Sequence, residues 1–246
     1  MPDARDAAKA AAARAAVERY VRPGLRIALG TGTTAEQAVH ALRDLHPRGG
    51  FDCVASSSAT ERLAASLGLR VRPLRADDRF DLMLDGADEV SPALDLTKGH
   101  GGALLREKLL ARLSDRLVIL VDESKLVAAL GERCAIPVEV VPYCRPVLAR
   151  ELAQDGFSVQ VRTTPGPGSF RTENGNEILD LAPAAPIALP GEADARLRSR
   201  VGVVETGLFV GLAERVVVGA ADGAVRELVR PAGSAPSSPP GRGRRR

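Results

Sequence analysis

The chain has 246 residues, 45% hydrophobic and 26% charged, enough apolar material for one large or two modest domains. Its net charge of +3 is smaller than the four arginines of Gly241–Arg246 alone, and it has 3% aromatics and no Trp, so neither a basic nucleic-acid surface nor a base-stacking platform is expected. No apolar run approaches membrane-spanning length and no signal-peptide core follows the Ala-rich start; Cys53, Cys134 and Cys144, odd in number and without CxxC, read as reduced thiols of a cytoplasmic protein.

Ala4 to Tyr20 forms an alanine-dominated helix closed by Arg22-Pro23-Gly24, and the default for its Lys9 is solvent. Leu25 to Leu29 reads as the first strand and runs into Gly30-Thr31-Gly32-Thr33-Thr34-Ala35, followed by a helix from Glu36 to Leu45. Strand, glycine loop and helix in that order make an anion-binding turn, with N–H groups and hydroxyls aimed at phosphate. The loop also fits G-x-G-x-x-A, but a dinucleotide site wants an acid after the next strand to hold the ribose. That strand, Phe51 to Ala55, ends in Ser56-Ser57-Ser58, which favours a small phosphate ester over NAD; an ordinary tight turn is the bland alternative. A helix over Thr60–Leu67 and strands over Leu69–Arg72 and Asp81–Leu84 come next.

The stretch from Asp85 to Lys108 is the densest in chemistry. Asp85-Gly86-Ala87-Asp88 places two carboxylates at the carboxyl edge of a sheet, where open α/β folds put their ligands. Gly99, Gly101 and Gly102 let the backbone turn tightly, and a helix from Ala103 to Leu113 starts straight after them. Glu107 lies early in that helix at the edge of an apolar stripe. Carboxylates, Lys98, backbone donors and a partly desolvated glutamate amount to a proton-transfer site for an anionic substrate. Two other readings stand beside it: a solvated loop, or a hard-cation site from Asp85, Asp88 and Glu89. Lys98 and the glycine turn suit phosphate or an oxyanion better than a metal.

Strand Leu117–Val121 then leads into Asp122-Glu123-Ser124-Lys125, which brings Lys125 to the same sheet edge. The alternation predicts an α/β fold with a parallel, Rossmann-like doubly wound sheet. After Gly131 the rhythm changes. Strands at Val138–Val141, Phe157–Arg162, Glu177–Leu181 and Val201–Glu205, with helices at Arg145–Gln154 and Glu192–Arg200, spell βαββαβ, the order of a ferredoxin-like domain. Asn174-Gly175-Asn176 is hairpin turn chemistry and Thr163–Ser169 a mobile connection. Gly207-Leu208-Phe209 leads to a strand, Arg215–Gly219, that returns to the first sheet. The expected division is residues 1–130 plus 204–230 for the α/β body and 131–203 for the small one, with a disordered Pro/Ser/Arg-rich tail over 231–246.

These residues resemble the ribose-5-phosphate isomerase family of the A type, from about Lys9 to Val225. The likeness rests on ALGTGTTA, SSSAT, DGADEV, KGHGGALLREK, VDESKLV, PVEVVPY, ENGNEILDL and VVETGLF, all in order. It implies interconversion of ribose 5-phosphate and ribulose 5-phosphate, a pentose phosphate pathway step, with no cofactor and no metal. It implies Glu107 as the base between C1 and C2, and Lys98 as the stabiliser of an enediolate oxygen. Asp85 and Asp88 would bind sugar hydroxyls, and Asp85 would help open the ring. Thr31, Gly32, Thr33 and Thr34 with Lys125 would take the phosphate; Gly86, Ala87, Gly99, His100 and Gly101 complete the substrate-binding set, and Lys9 aligns with a family lysine near the pocket. A homodimer or dimer of dimers, often through the small domain, is implied as well. Two positions depart from the pattern: His100 stands where glycine is usual, and Thr33 replaces a serine while keeping the hydroxyl. A non-catalytic sugar-phosphate sensor is the alternative from another class, but it would have no need of Glu107.

Overall fold

Small, apolar helices alternate with short apolar strands through the first half of the chain. The computed structural model describes residues 4–47, 50–164, 166 and 168–230; the tail expected over 231–246 and residues 165 and 167 of the Thr163–Ser169 connection lie outside them. The elements run α1 (Ala4–Tyr20), β1 (Arg26–Leu29), α2 (Thr33–Leu45), β2 (Asp52–Ala55), α3 (Ser58–Ser66), β3 (Leu82–Gly86), β4 (Glu89–Val90), β5 (Leu96–Thr97), α4 (Leu104–Leu113) and β6 (Leu117–Asp122). Then come β7 (Ile136–Val140), α5 (Arg145–Gln154), β8 (Phe157–Val161), β9 (Glu177–Pro183), α6 (Pro190–Arg198), β10 (Val203–Thr206), β11 (Leu208–Phe209), β12 (Arg215–Gly219) and β13 (Val225–Val229).

Six strands form the main sheet in the order β13-β12-β6-β3-β1-β2. All neighbours are parallel except the edge pair β12–β13. Successive strand side chains point to opposite faces. Ile27, Leu29, Leu82, Leu84, Val118 and Leu120 therefore meet the alanines of α1 and α2 on one side. Ala28, Met83, Ile119, Val121 and Val218 meet Leu110 of α4, Leu96 and Phe209 on the other. Because both faces are covered, a central strand such as Leu117–Val121 is apolar at every position. Each side chain so buried stabilises the fold by about 1.5–3 kcal/mol.

The second sheet, β10-β7-β9-β8, is antiparallel throughout and backs onto α5 and α6 through Val138, Val140, Leu148, Leu152, Leu179 and Leu197. A third small sheet, β11-β5-β4, lies under the main one. Both crossings between the main and second sheets are held by local contacts. Outbound, the buried Glu89 carboxylate accepts from the N–H groups of Gly131 (2.7 Å), Arg133 (2.7 Å) and Cys134 (3.1 Å) and from the Thr97 hydroxyl (2.9 Å). On the return, Gly207 N–H donates to Pro137 O (2.7 Å) and Lys98 N–H to Gly207 O (2.8 Å). A Cβ on Gly207 would lie 2.3 Å from the Lys98 carbonyl oxygen.

Several expectations are corrected. Leu69–Arg72 is no strand but a single parallel bridge between Val71 and Cys53, because Pro73 cannot extend the ladder and Arg72 turns to pair with Asp52 and Asp78 at 2.7 Å each. The helix expected from Glu36 begins at Thr33, with Gly32 at φ +99° before it. Strand β10 begins at Val203 rather than Val201, after a turn at Gly202 with φ +93°, and continues through Thr206. Strands β4, β5, β11 and β13 were not anticipated. The first three have two residues each, too few to show a period, and β13 sets two adjacent charges, Arg226 and Glu227, in a mostly exposed strand with no alternation. Asn174-Gly175-Asn176 is a turn as expected, yet with Thr172 its side chains also surround the buried Glu139 carboxylate at 2.8–3.1 Å.

Candidate active site

Three loops meet at the carboxyl edge of β1, β3 and β6. Strand β3 ends in Asp85 and Gly86, and the β1–β3 register, Leu29 opposite Leu84, sets Gly30 against Asp85. A Cβ on Gly30 would fall 1.9 Å from Asp85 Oδ1, so only glycine fits there. Asp85 Oδ1 accepts from the N–H groups of Gly86 (2.7 Å) and Thr31 (3.3 Å) and so ties the glycine loop to the end of β3. Lys98 arrives from the end of β5. Its Nζ lies 2.9 Å from Asp85 Oδ2 and 3.2 Å from Glu107 Oε2, and donates to Gly86 O at 2.7 Å. Glu107 projects from the first turn of α4. Asp85, Lys98 and Glu107 are 0%, 3% and 2% exposed, so water does little to screen them from each other.

Burial lifts the Glu107 carboxyl, Lys98 pulls it back, and the Asp85 charge adds to the lift; the outcome is about 8. Burial raises Asp85 as well, against the pull of Lys98. Burial disfavours the Lys98 ammonium, but Asp85 and then Glu107 outweigh that and hold it protonated above the ordinary lysine range. The trio thus joins a permanent cation to a carboxyl that exchanges its proton near neutral pH, which is what abstraction from carbon next to a developing oxyanion requires.

Above the trio opens a polar cleft of about 120 Å³. Thr31, Gly32, Thr33 and Thr34, the turn Gly86-Ala87-Asp88, and Gly99 and Gly101 line it together with Lys98 and Glu107. Lys125 joins the lining from the turn after β6. Lys9, whose default on its helix is solvent but which the resemblance sets near the pocket, donates to Thr33 Oγ1 at 3.2 Å and lines the same cleft, because α1 packs its N-terminal half beside the glycine loop. The serine-rich loop after β2 does not line this cleft; it braces it. Buried Ser56 shares a 2.6 Å hydrogen bond with the Thr31 hydroxyl, Thr60 Oγ1 donates to Gly30 O at 2.9 Å, and Ser57 caps α3. Reading Ser57-x-x-Thr60 as a cap would have pointed to this bracing role.

His100 does not crowd the cleft. Its ring Nε2–H donates to Ala135 O at 2.9 Å, away from the substrate side, and its backbone N–H donates to Asp88 Oδ2 at 3.1 Å. The left-handed conformations of this turn fall on Gly99 (φ +108°) and Gly102 (φ +82°), and His100 takes none. The hard-cation alternative fails because both oxygens of Glu89 are committed to the Gly131–Cys134 turn and Thr97, leaving only two of the three acids. Among the described residues no group of His, Cys, Asp and Glu is arranged to hold a metal ion.

The family profile for ribose 5-phosphate isomerase A (phosphoriboisomerase A) matches residues 52–223. Ribose-5-phosphate isomerase A of Thermomicrobium roseum is 47% identical over 225 residues, 91% of this chain and 94% of its own. That of Chloroflexus aurantiacus is 44% identical over 218 residues, 87% of this chain and 90% of its own. A D-ribose-5-phosphate isomerase solved with phospho-erythronic acid superposes with TM-score 0.88 at 31% identity, covering 92% of this chain and 99% of its own. Ribose 5-phosphate isomerase from Plasmodium falciparum does so with TM-score 0.87 at 34% identity, covering 91% and 98%. With this sheet, this cleft and these relatives, the chain belongs to the ribose 5-phosphate isomerase A family.

Proposed function

We propose that the chain interconverts D-ribose 5-phosphate and D-ribulose 5-phosphate through an enediolate formed over the Asp85–Lys98–Glu107 trio. Glu107 removes the proton from C2 of the ring-opened aldose and returns it to C1, while the O2 hydroxyl proton passes to O1, giving the ketose. Lys98 stabilises the negative charge on the enediolate oxygen, where a fixed ammonium in a dry site acts strongly. Asp85 binds a sugar hydroxyl and assists ring opening, and Asp88 holds a second hydroxyl. Thr31 to Thr34, with Lys125 and Lys9, seat the phosphate far from the reacting carbons and so orient them. The observation that carries this reading is the burial of one cation between two carboxylates at the bottom of a phosphate-ready cleft.

The test is isomerisation of ribose 5-phosphate by the purified protein in the presence of a chelator, beside Glu107→Gln. Ketose formation that the variant loses by ~10² or more supports the assignment; an active variant rejects Glu107 as base. Phospho-erythronic acid, whose carboxylate resembles the planar enediolate, is expected to compete with substrate.

The proposal extends to the assembly. Tyr143 and Val201 are 92% and 90% exposed on the small body, with Val147 also exposed, which supports pairing with a second copy there. The small body, residues 131–203, is proposed as an insertion into the catalytic body, with β10 as the seam. Three unpaired thiols accord with the cytoplasm.

A further inference from the structure

Lys108 is 4% exposed and sits one residue from Glu107 on α4, yet the mechanism above gives it no task. Burying an ammonium is costly, and a well-packed apolar residue at such a place is often as good for stability. Its partners all come from the second sheet and its flanking helix: Glu205 Oε1 at 2.8 Å, Thr206 Oγ1 at 3.3 Å and Asp194 Oδ1 at 3.5 Å. Arg198 approaches the same Glu205 at 3.5 Å. On the other flank of Glu107, Arg106 donates to Asn174 Oδ1 at 2.9 Å and pairs with the Glu173 carboxylate. Neighbouring residues on a helix point roughly 100° apart. The two tethers therefore grip α4 on either side of Glu107, and together they set the rotation of the helix about its axis. A second link runs through Phe209, whose ring carries Lys108 Nζ at 5.0 Å and Lys98 Nζ at 5.5 Å from its centroid.

We propose that Lys108 is a positioning residue for the isomerisation: by anchoring α4 to Glu205 and Asp194, opposite the Arg106 tether, it aims Glu107 at the reacting carbons. This rests on Glu107 being the base. Lys108 itself touches no substrate, and its cost in desolvation is offset by fixing a direction that a greasy contact would leave loose.

The experiment compares K108M, K108M/E205Q and E107Q for kcat, KM and melting temperature. Methionine keeps the length and volume of the lysine stem, and the double variant removes both members of the ion pair, so no buried charge is left alone. Expected is a fall in kcat of about 10-fold or more in K108M with KM within about twofold, since a misplacement of about 1 Å can cost as much as 10² in rate. The double variant is expected to regain melting temperature but not kcat. If kcat in the double variant returns to within about twofold of wild type while E107Q stays inactive, Lys108 serves stability alone and the proposal falls. An active E107Q would remove the base reading itself, whatever K108M does.

Discussion

Replacing Glu107 by Gln should make the protein more stable at pH 8 while abolishing its activity. Deep in the Asp85–Lys98 pocket the carboxyl titrates near 8 rather than at an ordinary 4.5. That gap corresponds to about 5 kcal/mol against ionisation of the folded state. The sign follows from proton binding. Between about 4.5 and 8 the folded protein holds a proton on Glu107 that the unfolded chain has released, so stability falls as pH rises. The contribution is full below the unfolded value and is lost by the time pH passes the folded one. A neutral amide escapes this loss, so the Gln variant should lack that part of the pH slope. Thermal melting from pH 5 to 9 reads it directly, and kcat/KM over the same range supplies the catalytic half. For the wild type, log kcat/KM should climb with unit slope and level off near 8, because only about a tenth of Glu107 is ionised at pH 7. A phosphate ester titrates near 6, so a rise centred there would come from substrate instead. A profile flat from pH 7 to 9, with a Gln variant no more stable than wild type at pH 8, would refute the reasoning.

Asp85→Asn removes a negative charge that helps lift Glu107, so residual kcat/KM should rise at lower pH than in wild type; a midpoint that stays near 8 would count against that coupling. Gly30→Ala forces a methyl into Asp85 and should cost activity by ~10² or more, measured beside the melting temperature to separate folding from catalysis. His100→Gly should leave kcat within about twofold, since the ring faces Ala135, while losing about 1 kcal/mol of stability in urea titration. Lys125→Ala should raise KM for ribose 5-phosphate more than it lowers kcat, and the effect should shrink as salt is added.

What could be read from the chain in advance was local. Gly30 to Thr34, Asp85 to Asp88 and Asp122 to Lys125 each announce themselves as a strand end followed by turn residues, and parallel strands bring such ends to one edge. The βαββαβ rhythm of the second half was legible for the same reason. Contacts made across long sequence separations were not. Nothing around Lys9 says that α1 lies against the glycine loop, and nothing around Ser56 says that it supports Thr31 from behind. Glu107 lies at the edge of an apolar stripe by its sequence, but the Lys98 that meets it follows β5, whose two residues carry no period at all. Arg72 shows the limit from the other side: the alternating Leu69-Arg70-Val71 before it promises a strand, and the acids that draw Arg72 out of line, Asp52 and Asp78, lie twenty and six residues away.

The two crossings described for the chain have a dynamic consequence. Glu89 clasps the outbound turn with three hydrogen bonds and is itself held by Thr97, and Gly207 is wedged against Lys98 and Pro137 on the way back. Neither passage is left as a free pivot, so the second sheet is expected to ride with the main sheet instead of swinging over the cleft like a jaw. Substrate is then expected to enter and leave an already assembled pocket, with no clamshell motion to wait for.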